Sequence, residues 1–495
     1  MLWYGYIYYF IFNFLLIYLI LFFLRLFTNY IISRYKIFVT LSQLFFSNIL
    51  FFFLISLLYL NHILDFYQAM FICSVNSLNI DINLISVFIN FNVYNTSTLS
   101  FNLIEVYYYP FIYVFILITI LSIIFCLIYN KDELISFMFY VILILLSGYI
   151  LFITNSLILF FFAYEMLLVP SFFILYKFAK TRRCVEAAYL MFFWTQFGAL
   201  FLIFGLLYLF SVSNNSLFSV ISYFYLTPFE INFLFLCLLI GFGVKLPIWP
   251  FYGWLPKAHV EASTNFSIFL SGVLVKFAFF GLFKCLIILQ SEPTCIYVYP
   301  FLLIGISDAV FKLFYQIDLK KLVAYSTVVE MHWLVICIVS GQTNLMLSGF
   351  CMLISHALLS TNSFLLVDAI TRRFKTRLIT EISGINFLCP KLFLAILLNS
   401  LIFLGFPGSI FFVAEFLFFS FFFDLFPIIM CYLLILLYLL APTFFFRSWL
   451  NVMFSYSNYF NKFILIDLTI RENLLFFGIP VLMYWLGVSW QSFIF

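Results

Sequence analysis

Charge is what this sequence has least of. Asp, Glu, Lys and Arg supply 8% of its 495 residues, against 66% hydrophobic types. Soluble domains carry about 25% charged residues, so a water-soluble globular fold is excluded. Cysteine occurs ten times but never as C-x-x-C, and the four histidines form no cluster. Fe–S, haem and zinc sites need convergent ligands at short spacing, so none is expected, and the thiols read as buried and free. G-x-G-x-x-G and Walker strings are missing, and no soluble stretch is large enough for a nucleotide. Neither a nucleic-acid partner nor a soluble substrate is expected. The roughly ten-residue alternating segments of a membrane barrel are also missing. No Arg-rich, acid-poor leader precedes the first apolar run, so no removable transit peptide is expected.

What the chain has instead is a succession of apolar runs near 20 residues, the length a helix needs to cross about 30 Å of hydrocarbon. The fold class is therefore an all-α polytopic membrane protein. About fourteen spans are predicted, at 5–27, 37–60, 107–129, 134–154, 157–178, 186–211, 232–256, 265–290, 298–316, 321–340, 344–368, 390–421, 427–446 and 473–491. The basic residues test this count independently. Of the 23 Lys and Arg, Lys245, Lys276, Lys284 and Lys312 lie inside spans. The remaining 19 lie in or beside loops after odd-numbered spans, among them Arg34, Lys36, Lys180, Arg182, Arg183, Lys320, Lys321, Arg372, Arg373, Lys375 and Arg377. Loops after even-numbered spans hold Asp65, Asp81, Glu230 and Glu292 and no basic residue. A missed or invented span would scramble that parity, which puts both termini opposite the basic side. Four regions follow. Residues 1–130 hold spans 1–3 and an external loop, 61–106, whose alternation points to short strands. Residues 131–290 and 291–446 hold five spans each, and 447–495 hold a loop and the last span. Phe (77) and Tyr (33) are abundant; with Ile and Asn they use A/T-rich codons, which points to an organellar gene.

A lysine at the bilayer centre costs about 2.5–3.5 kcal/mol on insertion scales, so an intramembrane charge implies a function. Span 5, LILFFFAYEMLLVPSFFILY, holds Glu165; spans 7 and 8 hold Lys245 and Lys276; span 12 holds Glu415 after Pro407–Gly408. Proline has no N–H, so it frees the carbonyl four residues earlier. Pro247 frees Gly243, Pro250 frees Leu246, Pro170 frees Met166 and Pro407 frees Phe403. In lipid those carbonyls need water, polar side chains or neighbouring helices. Helix breaks at Pro247, Pro250, Pro407 and Gly408, beside titratable groups, therefore describe a hydrated path at the midplane. A structural ion pair locking two helices is the alternative. Spans 4–8 and 9–13 are five helices each, and their fourth members are both broken and charged. Five is odd, so such repeats have inverted topology. A glutamate and a lysine make a relay, because a carboxylate moved toward or away from a desolvated lysine decides whether the lysine keeps its proton. Glu330 and His332 in span 10 and His356 in span 11 are weaker candidates for the same path. Asp308 and Lys312, spaced i,i+4, are expected to neutralise one another. Lys284 is expected to snorkel from the end of span 8, and His62 and His259 to be solvated or interfacial.

The strings VKLPIWPFYGWLPKAHVEAST, SGVLVKFAFFG, QIDLKKLVAYSTVVEM, LISHALLSTNSFLL and GFPGSIFFVAEFLFF together resemble one family. It comprises the proton-conducting antiporter-like subunits of respiratory complex I and of the Mrp cation/proton antiporters. The likeness runs from about span 3 to span 13, and K-L-P-x-x-P-x-x-x-W-L-P-x-A-H is its most specific string. A glutamate in broken span 12, as Glu415 here, and an end at span 14 without a long lateral helix resemble one complex I member above the others. The resemblance implies that Glu165 pairs with Lys245 and that Lys276 is the central lysine of a hydrophilic axis. It further implies that His356 lies on that axis and that Glu415 is the group from which a proton leaves. The implied function is proton translocation in the membrane arm of an NADH:ubiquinone oxidoreductase, coupled to electron transfer in other subunits. NADH, FMN, Fe–S clusters and ubiquinone would then bind those subunits and not this chain. Its partners would be neighbouring membrane-arm subunits and lipid, in the mitochondrial inner membrane with the basic loops in the matrix. A cation/proton antiporter subunit and a non-conducting structural subunit are the alternatives. Four positions depart from the family pattern: Lys257 stands for Asp, Ser263 for Pro, Arg372 for an acid, and Glu330 for His, with His332 two places on.

Overall fold

In hydrocarbon every backbone N–H and C=O must bond within the protein, and helices do this residue by residue. The computed structural model describes residues 112, 114–123, 134–178, 181–221, 224, 226–288, 298–454 and 467–489, and they are almost wholly helical. They belong to one compact unit, Ser97–Phe495. Spans 1 and 2, the loop 61–106 with its expected strands, and His62 lie outside the described residues. Seven described stretches are long and apolar enough to cross a membrane: Ser136–Ile153, Leu157–Lys177, Arg182–Ser213, Thr264–Ile287, Leu319–Val339, Thr343–Phe374 and Pro427–Phe454.

In chain order the helices that position the site are α1 (Val114–Ile123), α2 (Leu134–Ile153), α3 (Leu157–Met166), α4 (Leu168–Lys177), α5 (Arg182–Ser213) and α6 (Pro228–Gly243). After them come α7 (Trp254–Glu261), α8 (Thr264–Phe269), α9 (Val275–Ile288), α10 (Val298–Phe314), α11 (Leu319–Val339) and α12 (Thr343–Phe374). The described chain closes with α13 (Pro390–Phe403), α14 (Ile410–Leu425), α15 (Pro427–Leu433), α16 (Ala441–Phe454) and α17 (Ile470–Val488). Helix ends carry their local signals. Thr227 and Glu230 form a reciprocal capping box at the start of α6, with Pro228 in its first turn, and Thr469 and Glu472 do the same for α17. The helices α5 and α6 meet through glycines. A methyl on Gly198 would lie 2.9 Å from the Gly241 carbonyl, and one on Gly241 2.9 Å from Leu202 Cβ. That close approach is how helices associate where lipid offers no hydrophobic drive.

Both expected breaks are present. The first separates α6 from α7: the chain leaves helix at Gly243, passes Pro247 and Pro250, and resumes at Trp254 after a short turn, Phe251–Gly253. The second separates α13 from α14 at Leu404–Ser409, with Gly405 (φ 71°) and Gly408 (φ 92°) in the left-handed region. Two further irregularities are present, the first without a proline signal and the second just ahead of Pro442, which frees the Tyr438 carbonyl. Leu270–Leu274, between α8 and α9, and Leu434–Leu440, between α15 and α16, are π-helical.

The stretch Thr264–Ile287 and helix α12 are wholly buried across their apolar windows, and α11 is 94% buried, whereas Arg182–Ser213 and Pro427–Phe454 are 39% buried. The first three are the core, and they carry Lys276, Glu330 and His356. Lys284 does not snorkel. It is 4% exposed, and its ammonium donates to the carbonyls of Phe152 (2.9 Å) and Thr154 (2.5 Å) where α2 ends. A helix terminus leaves its last carbonyls without intrahelical partners, and the cation caps them. Two more cations hold the carbonyl end of α7: Lys320 donates to Ala262 (3.0 Å), and Arg377 donates to Val260 (3.1 Å) while pairing with Asp318 (2.6 Å). The segment after residue 466 is tied down in the same way. Arg373 pairs with Glu472 at 2.8 Å, and Asp467 accepts from the Lys391 and Leu392 N–H groups at the start of α13.

Candidate functional site

The first cluster surrounds Lys245, just past the end of α6. Its side chain is buried (2% exposed), and its ammonium donates to the Tyr164 carbonyl at 2.9 Å. The expected ion partner, Glu165, lies within electrostatic reach of it, but its Oε2 accepts from Gln196 Nε2 at 2.9 Å. The carbonyls around the break are largely spoken for. Gly243, which Pro247 frees, accepts instead from the Ile248 N–H (2.8 Å); Val244 accepts from the Trp254 indole (2.9 Å), and Gly241 from the Tyr164 hydroxyl (3.0 Å). The polar group that meets Lys245 is thus a carbonyl of α3 and not one that the prolines free.

The second cluster sits in the core. Lys276 is 0% exposed. Its ammonium donates to the Ser271 carbonyl within the π-helical turn and lies 2.5 Å from His356 Nδ1. A π-turn shifts the local hydrogen-bond ladder, and such turns recur at functional sites because of the carbonyl they expose. The other imidazole nitrogen, His356 Nε2, stands 3.3 Å from Glu330 Oε2, with both side chains at most 4% exposed. One ring thus lies between an ammonium on α9, to which it is hydrogen-bonded, and a carboxyl on α11, which it faces without a hydrogen bond. Glu415, on α14, lies within electrostatic reach of Glu330 and is itself 3% exposed.

Glycine makes room for Glu415. A methyl on Gly405 would fall 2.2 Å from its Oε2, and the φ of 71° already disfavours any other residue. Gly405→Ala is expected to cost about 1–2 kcal/mol in backbone strain and to displace the carboxyl. If the chain conducts protons as the resemblance implies, their flux in assembled membranes should fall. A variant that moves protons at the parental rate would show that the seat of Glu415 is irrelevant.

The histidines sort differently from the sequence expectation. His332 Nδ1 lies 2.8 Å from the Val328 carbonyl, and its Nε2 accepts the Trp249 N–H at 2.8 Å. Both nitrogens are committed to backbone, so His332 fastens the first helix break to α11 and has no nitrogen left for the path. His259 is not solvated. It is 0% exposed, it stacks on Phe364 at 4.8 Å, and neither ring nitrogen meets a protein partner. Lys320 and Lys276 lie within its electrostatic reach, and it lies within that of His356. It was passed over because its string reads as a loop between spans. Asp308 and Lys312 do pair (2.8 Å), and the Tyr252 hydroxyl bonds to both. Tyr164 and Gln196 were also missed. The one signal for them was a polar side chain next to, or a helix away from, an intramembrane glutamate.

The family described as NADH:quinone oxidoreductase/Mrp antiporter, TM, matches this chain over residues 154–466, which takes in both clusters and both breaks. Over 266 residues the chain is 36% identical to NADH-ubiquinone oxidoreductase chain 4 of Paramecium tetraurelia, covering 54% of this chain and 56% of that protein. The match thus spans about half the length of that relative. Among solved structures, a chain of respiratory complex I from Thermus thermophilus with bound NADH shares the fold. Its TM-score is 0.68 at 20% identity, over 78% of this chain and 82% of that one. A chain of the Mrp complex from a Dietzia species does so at a TM-score of 0.65 and 20% identity, over 77% and 43%.

Proposed function

The chain belongs to the NADH:quinone oxidoreductase/Mrp antiporter transmembrane family, and from that premise we propose that it moves protons in the membrane arm of an NADH:ubiquinone oxidoreductase. The observation that carries this reading is the line Lys276–His356–Glu330, in which one buried imidazole faces a proton donor on one side and an acceptor on the other. A proton passes when Nδ1 takes one from the ammonium and Nε2 gives one to the carboxylate. The N–H bond of Lys276 breaks, the O–H bond of Glu330 forms, and the ring is left in its other tautomer. Lys245 and Glu165 feed the line from one end, and Glu415 receives from Glu330 at the other. His259, between Lys320 and the core pair, is the branch toward the basic side.

In this reading the chain has about fourteen spans. Spans 4–8 and 9–13 form inverted five-helix repeats, which the matching breaks at 244–250 and 404–409 support. The basic loops face the mitochondrial matrix, and the gene is organellar. NADH, FMN, Fe–S clusters and ubiquinone belong to other subunits of the complex. Isolating the native complex is the direct test. The expected outcome is co-purification with flavin and Fe–S subunits; co-purification with cation-antiporter subunits, with growth rescue under sodium stress, would favour the Mrp-type reading. If the chain were only structural, the complex would pump as before when Lys245, Lys276 and Glu415 are neutralised one at a time; if it conducts, pumping falls.

A further inference from the structure

Lys245 is seated on the residue before its expected partner. Its ammonium stands 3.4 Å from the centroid of the Tyr164 ring and donates to the carbonyl of the same residue at 2.9 Å. Tyr164 is 0% exposed, and its position is fixed from α6 itself. Its hydroxyl donates to the Gly241 carbonyl at 3.0 Å, and its ring packs edge-on against Phe242 at 5.1 Å. Glu165, the next residue of α3, is turned to Gln196, and its Oε1 is buried without a hydrogen-bond partner in the protein. Consecutive residues of one helix therefore offer the lysine two seats. One is a π-face with a carbonyl, which holds an ammonium without any anion. The other is a carboxylate with one oxygen unspoken for.

We propose that Tyr164 is a positioning residue whose ring face and carbonyl form a holding seat for the Lys245 ammonium, from which the lysine swings to Glu165 during turnover. This rests on the relay reading above. A cation over an aromatic face is attracted by the ring quadrupole, most strongly where both are desolvated. Such a seat keeps Lys245 charged while Glu165 is occupied elsewhere, and it releases the lysine because no ion pair has to be broken. When the lysine reaches the free Oε1, its proton passes from Nζ to oxygen, leaving a neutral amine and a neutral acid.

The test uses the whole complex in sealed native membranes, with NADH oxidation and protons moved per electron measured together. Tyr164→Phe and Tyr164→Trp keep a π-face, whereas Tyr164→Met and Tyr164→Leu remove it. The share of the protons per electron that Lys245→Ala abolishes is expected to stay within about twofold of the parent for Phe and Trp, and to fall about tenfold or more for Met and Leu, the scale of a desolvated cation–π contact. Assembly and NADH oxidation by an artificial acceptor should be unchanged in all four. A purely structural tyrosine would lower assembly and both rates together, with no rescue by Phe or Trp. The seat is overturned if Met or Leu pumps as the parent does, or if assembled Phe loses as much as Met. Lys245→Ala is the control that separates the two ideas. If it pumps normally the relay reading itself fails; if it stops pumping while Met and Leu are silent, only the seat fails.

Discussion

Lys276→Ala is expected to stop proton movement through this chain while the complex still assembles, and Lys276→Arg to fail nearly as completely. The alanine result follows from geometry. In the proposed relay Lys276 is the proton donor on the Nδ1 side of His356, and it lies in a core where no surface group can take its place. The arginine result separates charge from proton. A guanidinium keeps the positive charge and has donors for the Ser271 carbonyl and His356, but it does not give up a proton in proteins. Loss of a positioned acid–base group slows transfer by about 10²–10⁴-fold. The measurement is proton uptake per NADH oxidised in sealed membranes, with the assembled complex quantified alongside. An arginine variant that pumps at the parental rate would mean that Lys276 is only a fixed charge.

Glu330→Gln is the second large effect. The amide matches the carboxyl in shape, so packing around α11 is unchanged, but it cannot receive the proton that His356 Nε2 would release at 3.3 Å. Flux should again fall about 10²-fold or more. Glu330→His is expected to restore most of it, since an imidazole both accepts and releases a proton and the family pattern places histidine there. The pair of variants isolates proton transfer from charge balance: Gln and neutral His both remove an anion beside Lys276, and only His can relay. Equal loss in the two variants would assign Glu330 to charge compensation instead.

The helix breaks were legible because proline acts locally. A missing N–H at Pro247 or Pro407 removes a helix bond whatever the surroundings. The membrane character and the mid-chain charges were legible for the same reason, since the cost of a lysine in lipid needs no partner to be computed. Hydrogen-bond partners were not. Whether Lys284 reached the surface or the end of α2, and whether His332 joined the path or pinned Trp249, depended on which carbonyl or N–H lay across the interface. Sequence spacing does not encode that. The same blindness hid the seat of Lys245, where Glu165 was the obvious partner and the residue beside it holds the ammonium. The π-turn at Leu270–Leu274 was illegible for another reason. LSGVL carries a Ser–Gly pair, which loosens a helix without saying in what way, and the extra residue shows only in the ladder that the backbone adopts.

That extra residue sets an angular phase. Each residue of an α-helix advances about 100°, so a one-residue surplus rotates everything after Leu274 relative to everything before Leu270. Ser267 is oriented by the entry side, Lys276 and Lys284 by the exit side. Removing one residue from the turn would let the stretch wind as a regular helix, and both lysines would swing by about 100° together. Lys276 would then leave His356, and Lys284 would leave the end of α2. The two buried cations are thus mechanically one rotor, so any motion that unwinds the π-turn reaches the Lys276–His356 contact and the α2 cap at the same moment.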